Sequence, residues 1–391
     1  MGSADHDHTW LDNLPSGLDP HDALFGLLEE AVARKVFPGC VALVWKDGAV
    51  VYEEAHGTLA DHPAALVRGV PVARDTVYDL ASLTKVLCTT SLVARSVSEG
   101  KMALEQPVPE PWAKACPGAR LVDLLEHCAG LRAHSEYFTR VEPYDRDRVL
   151  ELVCETPPEY PVRERAVYSD LGFIILGAWL EHVHRQPLDW LFADRVAYAL
   201  NLAPETIGFR RLSGDVRLEM KVDKTIAPTE VYDPSLHPGG VPSYFPVRDT
   251  VEAAYRIVHD DNAYVMGGVA GHAGLFGTAN AVLEIGRAWL EPLLPGFDRA
   301  LRDRFWQPSA VKGSSRRLGF DGPSPGGSTG TATSSRAVGH TGFTGTSLWI
   351  DPEAPGGPRI FVLLSNRVHP TRNNDAIRSL RPRFHELALH L

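Results

Sequence analysis

The 391 residues carry 39 basic against 49 acidic side chains, a formal charge of -10, with 44% hydrophobic and 23% charged positions. That balance belongs to a globular chain with apolar material for a sizeable core, and it excludes intrinsic disorder and a collagen-like fibre. The basic residues are scattered rather than gathered into a stripe that could follow a phosphate backbone, so nucleic acid is not an expected partner.

Residues 1–18 read as a flexible tail. Asp5-His6-Asp7-His8 stands where an export signal would place basic residues and then an apolar run, which predicts a cytoplasmic address. From Asp19 to Val36, Leu24, Leu27, Leu28, Ala31 and Val32 recur at helical spacing, and Pro38-Gly39 stops the helix. Cys40 to Trp45 and Ala49 to Glu54 then form a hairpin about Lys46-Asp47-Gly48, where Asp-Gly accepts the positive φ angles of a tight turn. After a loop-like stretch to Val77, Ala81 to Gly100 reads as a helix with Ser82 at its N-terminal end. Helical periodicity continues over Leu121–Cys128, Arg146–Cys154, Asp170–Val183 and Pro187–Leu200. Residues 211–262 carry turn signals, Asp233-Pro234 and His237-Pro238-Gly239-Gly240 among them, and predict an irregular connection. Thr278 caps a helix through Leu294, and Asp321 to Ser335, rich in Gly, Ser, Thr and Pro, predicts a mobile loop. Strands over Thr344–Ile350 and Ile360–Leu364 and a helix over Asp375–His390 close the chain.

Hairpins near both ends suit one antiparallel sheet. The expected fold is therefore α/β (α+β): an antiparallel sheet flanked by helices, built from about residues 19–80 and 265–391, with a largely helical lobe of about 81–264 inserted, all in one domain of residues 19–391. Apolar runs fall short of the ~18 residues that cross a bilayer, so no membrane span is expected. Five cysteines at wide spacing, with no C-x-x-C pair, read as reduced core thiols.

The sharpest local feature is Ser82-Leu83-Thr84-Lys85. A serine opening a helix and a lysine three residues on share one face, so the amine can reach the hydroxyl. A lysine desolvated in a pocket can act as the base that a serine alcohol needs before it becomes a nucleophile. Alone, the tetrapeptide is a weak signal that occurs often by chance, and an N-cap serine with a solvated lysine is its ordinary reading. Tyr168-Ser169-Asp170 opens a strongly apolar helix, where a phenol suits proton relay, and His340-Thr341-Gly342 stands at the start of a predicted strand, where glycine lets a ligand approach the backbone.

In the order Ser82-x-x-Lys85, Tyr168-x-Asp170, His340-Thr341-Gly342, these segments resemble the S-x-x-K, Y-x-N and K-T-G set of the serine β-lactamase and penicillin-binding-protein superfamily, nearest the branch of class C β-lactamases, DD-peptidases and β-lactamase-fold esterases. Leu124 to Leu131 is similar to the branch's L-L-x-H-x-x-G-L segment, and Gly267 to Phe276 and Ser365 to Arg372 resemble further segments of its serine hydrolases. The resemblance implies a β-lactamase/transpeptidase-like fold and acyl transfer through serine, without metal or organic cofactor, on a small-molecule ester, amide or β-lactam. By the family's pattern Ser82 is the nucleophile, Lys85 its proton acceptor and Tyr168 the acid or base serving the leaving group. The backbone N–H groups of Ser82 and Phe343 would form the oxyanion hole.

Two positions depart from the pattern. Asp170 stands where the family usually has Asn; ionised beside Lys85, it would favour the ammonium and shift proton work to Tyr168. His340 replaces the lysine of K-T-G, and a mostly neutral imidazole is a weaker anchor for a substrate carboxylate. The expected activity is that of an esterase-like serine hydrolase rather than an efficient β-lactamase. An acyltransferase using the same acyl-enzyme, a DD-peptidase or β-lactamase, and a penicillin-binding sensor that does not turn over are the alternatives. His127 and His272 lack a second ligand at zinc spacing and read as structural.

Overall fold

The computed structural model describes residues 17–212, 223–231 and 257–391. The tail motif Asp5-His6-Asp7-His8 and the turn signals at Asp233-Pro234 and His237–Gly240 lie outside the described residues. Helix α1 (Pro20–Ala33) starts where the sequence puts it, with Asp19 accepting the His21 N–H at 2.9 Å and proline in the first turn. Strands β1 (Gly39–Lys46) and β2 (Ala49–Gly57) form the expected hairpin, Asp47 and Gly48 at φ 50° and 95° making its two-residue turn.

After the two-residue strand β3 (Tyr78–Asp79), the predicted helix over Ala81–Gly100 proves irregular. It opens with a tight turn, widens into a π-helical stretch at Lys85–Thr90 and settles into α2 (Ser91–Ser98). The lobe continues with α3 (Leu121–Leu125), α4 (Arg146–Glu155), α5 (Asp170–His184), α6 (Leu188–Phe192) and strand β4 (Ile207–Phe209). The expected helix to Cys128 stops early because His127 is left-handed, at φ 58°. Next come α7 (Asp261–Val265), β5 (Leu275–Gly277), α8 (Ala279–Leu290), capped by Thr278, and the unforeseen α9 (Arg299–Phe305). Asp321–Ser335 is a succession of turns anchored at both ends: Asp321 exchanges backbone bonds with Gly339, and Ser334 donates its N–H and hydroxyl to Asp351. Strands β6 (Val338–Thr341), β7 (Ser347–Asp351) and β8 (Arg359–Ser365) and helix α10 (Ile377–Ala388) complete the chain.

One antiparallel sheet runs β2-β1-β8-β7-β6, so strands from the two ends of the chain pair directly, Cys40 opposite Ser365 and Lys46 opposite Arg359. Alternation divides its side chains between two layers. Cys40, Ala42, Val44, Phe361 and Leu363 meet Leu24, Leu28, Leu380 and Phe384 of α1 and α10. Val41, Leu43, Ile360, Val362 and Leu348 join the core with α8 and the helical lobe. Both faces being buried, these strands read as continuous apolar runs. A small sheet, β3-β5-β4, ties the lobe to this frame. Among the described residues no helix is long and apolar enough to cross a membrane, and the five cysteines are unpaired.

Candidate active site

The chain enters the site from β3. Asp79 accepts the Ala81 N–H at 2.8 Å and the His259 N–H at 2.6 Å, and Ala81 takes φ 46°, a left-handed conformation that is strained for a residue with a Cβ. That corner delivers Ser82 to the head of the helix. One turn on, Lys85 is fully buried, and its three donors are all engaged: Ser82 Oγ at 2.9 Å, Asp170 Oδ1 at 2.8 Å and the His272 carbonyl at 3.0 Å. Tyr168, just before α5, donates its hydroxyl to Ser82 Oγ at 2.8 Å. The serine oxygen thus sits between an amine and a phenol that come from segments 83 or more residues apart.

Burial pulls the Lys85 ammonium down, but the Asp170 carboxylate and Tyr168 more than offset it, and the lysine ends above its ordinary value. Burial likewise pushes the Asp170 carboxyl up, against which Lys85 and His134 hold it well below the carboxylate range. Burial raises the Tyr168 phenol, with Lys85 opposing. The resting site therefore holds an ammonium–carboxylate pair beside a neutral phenol.

His340 and Thr341 end strand β6 rather than starting the next strand as the sequence suggested, because Phe343–Thr346 is needed for the turn into β7. The His340 ring lies 5.5 Å from that of Tyr168; its Nδ1 donates to the Thr341 carbonyl at 2.8 Å, leaving Nε2 as the acceptor. Burial, then Lys85 and Arg316, push its pKa down to about 3, so the ring is neutral. Gly342 is sterically required: a Cβ would strike Thr346 Oγ1 and lie 2.6 Å from the Leu80 carbonyl oxygen. Thr344 and Thr346 donate their hydroxyls to the Asp79 and Leu80 carbonyls at 2.6 and 3.0 Å, locking the turn against the corner that carries Ser82. Among the described residues, neither the Ser82 nor the Phe343 backbone N–H donates a hydrogen bond. The Phe343 ring, half-exposed, stacks on His259 at 5.6 Å and lies under the Arg367 guanidinium at 4.3 Å.

Ser82, Tyr168, Asp170, His340, Thr341, Gly342 and Phe343 line one cleft of about 650 Å³. Sequence reasoning missed others there. His134 Nδ1 lies 3.3 Å from Asp170 Oδ2, and Arg316 sits 5.1 Å from the Tyr168 ring. Arg367 and Arg381 reach in from the end of the chain. Arg367 lies in the Ser365–Arg372 segment that the resemblance marked, but the residues around His134, Arg316 and Arg381 carry no signal, since each acquires its meaning from the tertiary fold. Of the two histidines weighed as ligands, His272 Nε2 pairs with Asp260 at 2.8 Å, and His127 Nδ1 accepts the Ser169 N–H at 3.0 Å while its ring packs 4.8 Å from that of Tyr168.

A family model described as Beta-lactamase matches residues 24–382. An N-acetylmuramyl-L-alanine amidase of Bacillus subtilis (strain 168) is 30% identical over 371 residues, covering 85% of this chain and 78% of its own. A putative D-alanyl-D-alanine carboxypeptidase of Escherichia coli (strain K12) is 29% identical over 373 residues, with 85% and 79% covered. Among solved structures, simvastatin synthase (LovD) from Aspergillus terreus superposes with a TM-score of 0.69 at 17% identity, over 96% of this chain and 98% of that one, a likeness of fold.

Proposed function

From the fact that the chain belongs to the beta-lactamase family, a family of serine hydrolases, we propose that it cleaves an ester or amide bond through an acyl-Ser82 intermediate. The observation that carries this reading is the placement of Ser82 Oγ 2.9 Å from Lys85 Nζ and 2.8 Å from the Tyr168 hydroxyl. In the proposed cycle Oγ attacks the carbonyl carbon, and its proton passes into the Lys85–Tyr168 pair. At rest both members carry their protons, Lys85 as an ammonium beside Asp170 and Tyr168 as a phenol, so the pair first gives one proton to solvent; it then accepts the Oγ proton, Tyr168 taking the larger share, and returns it to the leaving alcohol or amine. The free N–H groups of Ser82 and Phe343 stabilise the oxyanion, and water then releases the acid.

The neutral His340 offers a substrate carboxylate no charge, which favours esters and neutral amides over efficient β-lactam hydrolysis. The amidase and carboxypeptidase named among the relatives favour a second reading, an amide of a cell-wall peptide as substrate.

Labelling with a fluorophosphonate and intact-mass detection tests the nucleophile: one adduct is expected in the native protein and none in Ser82→Ala. The same variant should lose turnover of short p-nitrophenyl esters by at least about 1,000-fold. Running those esters beside D-alanyl amides and nitrocefin separates the two readings, and a nitrocefin rate above the ester rate by orders of magnitude would overturn the preference for esters and neutral amides over β-lactams. Adding alcohol acceptors measures transfer against hydrolysis.

A further inference from the structure

We propose that Arg381, on the last helix of the fold, strengthens the oxyanion hole by polarising the Gly342–Phe343 peptide group, making it a positioning residue for the reaction at Ser82. The inference rests on the reading of Phe343 as an oxyanion donor. Arg381 is 7% exposed, and its Nη2 donates to the Gly342 carbonyl at 3.3 Å and to the Thr346 carbonyl at 2.9 Å. Among the described residues its side chain bonds only to these two carbonyls, with no carboxylate to neutralise it. A second cation completes the clamp: Arg367 Nε donates to the Phe343 carbonyl at 2.8 Å.

The Gly342 C=O and the Phe343 N–H belong to one peptide unit, and that unit is trans. In a trans peptide the two groups point in opposite directions. The carbonyl being turned to Arg381, the N–H is aimed away from it, and it donates to nothing among the described residues. A cation on the carbonyl oxygen draws density from the peptide nitrogen, so the N–H becomes a stronger donor, as bonds in a chain reinforce one another. The gain grows as negative charge develops on the substrate oxygen, so it lowers the barrier more than it tightens substrate binding. Burial, together with Arg367 and Arg378, pushes the Arg381 pKa down to about 9, still leaving it cationic at neutral pH. A buried charge without a carboxylate is costly for a residue whose only task is to fasten a turn.

The test uses Arg381→Gln and Arg381→Lys in the full chain, with a short p-nitrophenyl ester as substrate and phenylboronic acid as the tetrahedral mimic. Losing an oxyanion donor outright costs about 100- to 1,000-fold, so Arg381→Gln, which loses only the polarising charge, should lower kcat by about 10-fold or more with KM within about threefold. Boronic acid affinity should fall by the same factor. Lysine keeps the charge but lacks the guanidinium's reach, and Arg381→Lys should lose about threefold in both readouts. Near-UV circular dichroism checks the fold. A folded Arg381→Gln with native kcat, or with its loss in KM alone, overturns the proposal, and so, even if the glutamine variant fails to fold, does an Arg381→Lys whose kcat falls without a matching fall in boronic acid affinity. Absence of a Ser82 adduct in the native protein would instead sink the hydrolase reading itself.

Discussion

The Asp170 carboxylate lies 2.8 Å from Lys85 Nζ and 3.3 Å from His134 Nδ1, so two bases share one counterion. Removing its charge leaves Lys85 subject to burial, which acts downward on its pKa. Where catalysis needs the neutral amine, kcat/KM rises with pH through the lysine's pKa. Asp170→Asn should therefore move that rising limb to lower pH by about one unit or more, measured with a neutral ester between pH 5 and 10. An unmoved limb would show that the carboxylate does not tune the site. That Lys85 could reach Ser82 was legible from three-residue spacing on one helix face, but the trio with Tyr168 was legible only through the joint resemblance of the three segments to the family's motif set. His134, Asp260, Arg316 and Arg381 were illegible: each arrives from a segment whose own pattern reports only turn or surface.

Helices and strands with a clear apolar period emerged close to their expected bounds, α1, the β1–β2 hairpin and α5 above all. Departures have local causes. Helix α9 buries only Phe305 among its side chains and so shows no apolar stripe to read. The π-helical stretch at Lys85–Thr90 cannot be told from an α-helix by periodicity over six residues. Packing at this level also holds the site. Gly271 backs onto α5, where an added Cβ would collide with the Phe173 carbonyl and approach Gly177 N at 2.9 Å. Its own carbonyl accepts from Thr89 at 2.6 Å, and the next carbonyl, of His272, accepts from Lys85. Gly271→Ala should destabilise the protein by about 1–3 kcal/mol, the usual cost of overpacking. A urea titration measures that cost, and ester turnover should fall with it because the lysine's anchor shifts. A variant with native stability and native rate would contradict this account of the contact.

For the molecule as a whole, several buried carboxylates link stability to pH. Burial pushes Asp170, Glu230 and Asp260 up, but Lys85, the His259–Arg372 pair and His272 respectively hold them below their ordinary values, Asp260 at about 2. Groups depressed in the native state stabilise it above the unfolded carboxyl value of ~4 and lose that contribution as pH falls toward the folded value. Burial also holds His340 at about 3 and His369 and His385 at about 4, below the unfolded imidazole value of ~6.5, so melting temperature should begin to fall below about pH 6.5 and fall more steeply below about pH 4, and Glu230→Gln should flatten the steeper part. A melting curve insensitive to acid would contradict the assignment. The shared sheet was legible as two hairpins needing one partner surface, although the strand order, β2-β1-β8-β7-β6, came only with the structure. That order has a consequence for the newly made chain. While a ribosome has released the first two hundred residues, Ser82, Lys85 and Tyr168 are all present, but β1 still lacks β8 on its other side and the turn at Phe343 has not been synthesised. On the proposed reading, catalytic competence therefore arrives late, and a nascent chain carries Ser82 without the turn that would complete its oxyanion hole.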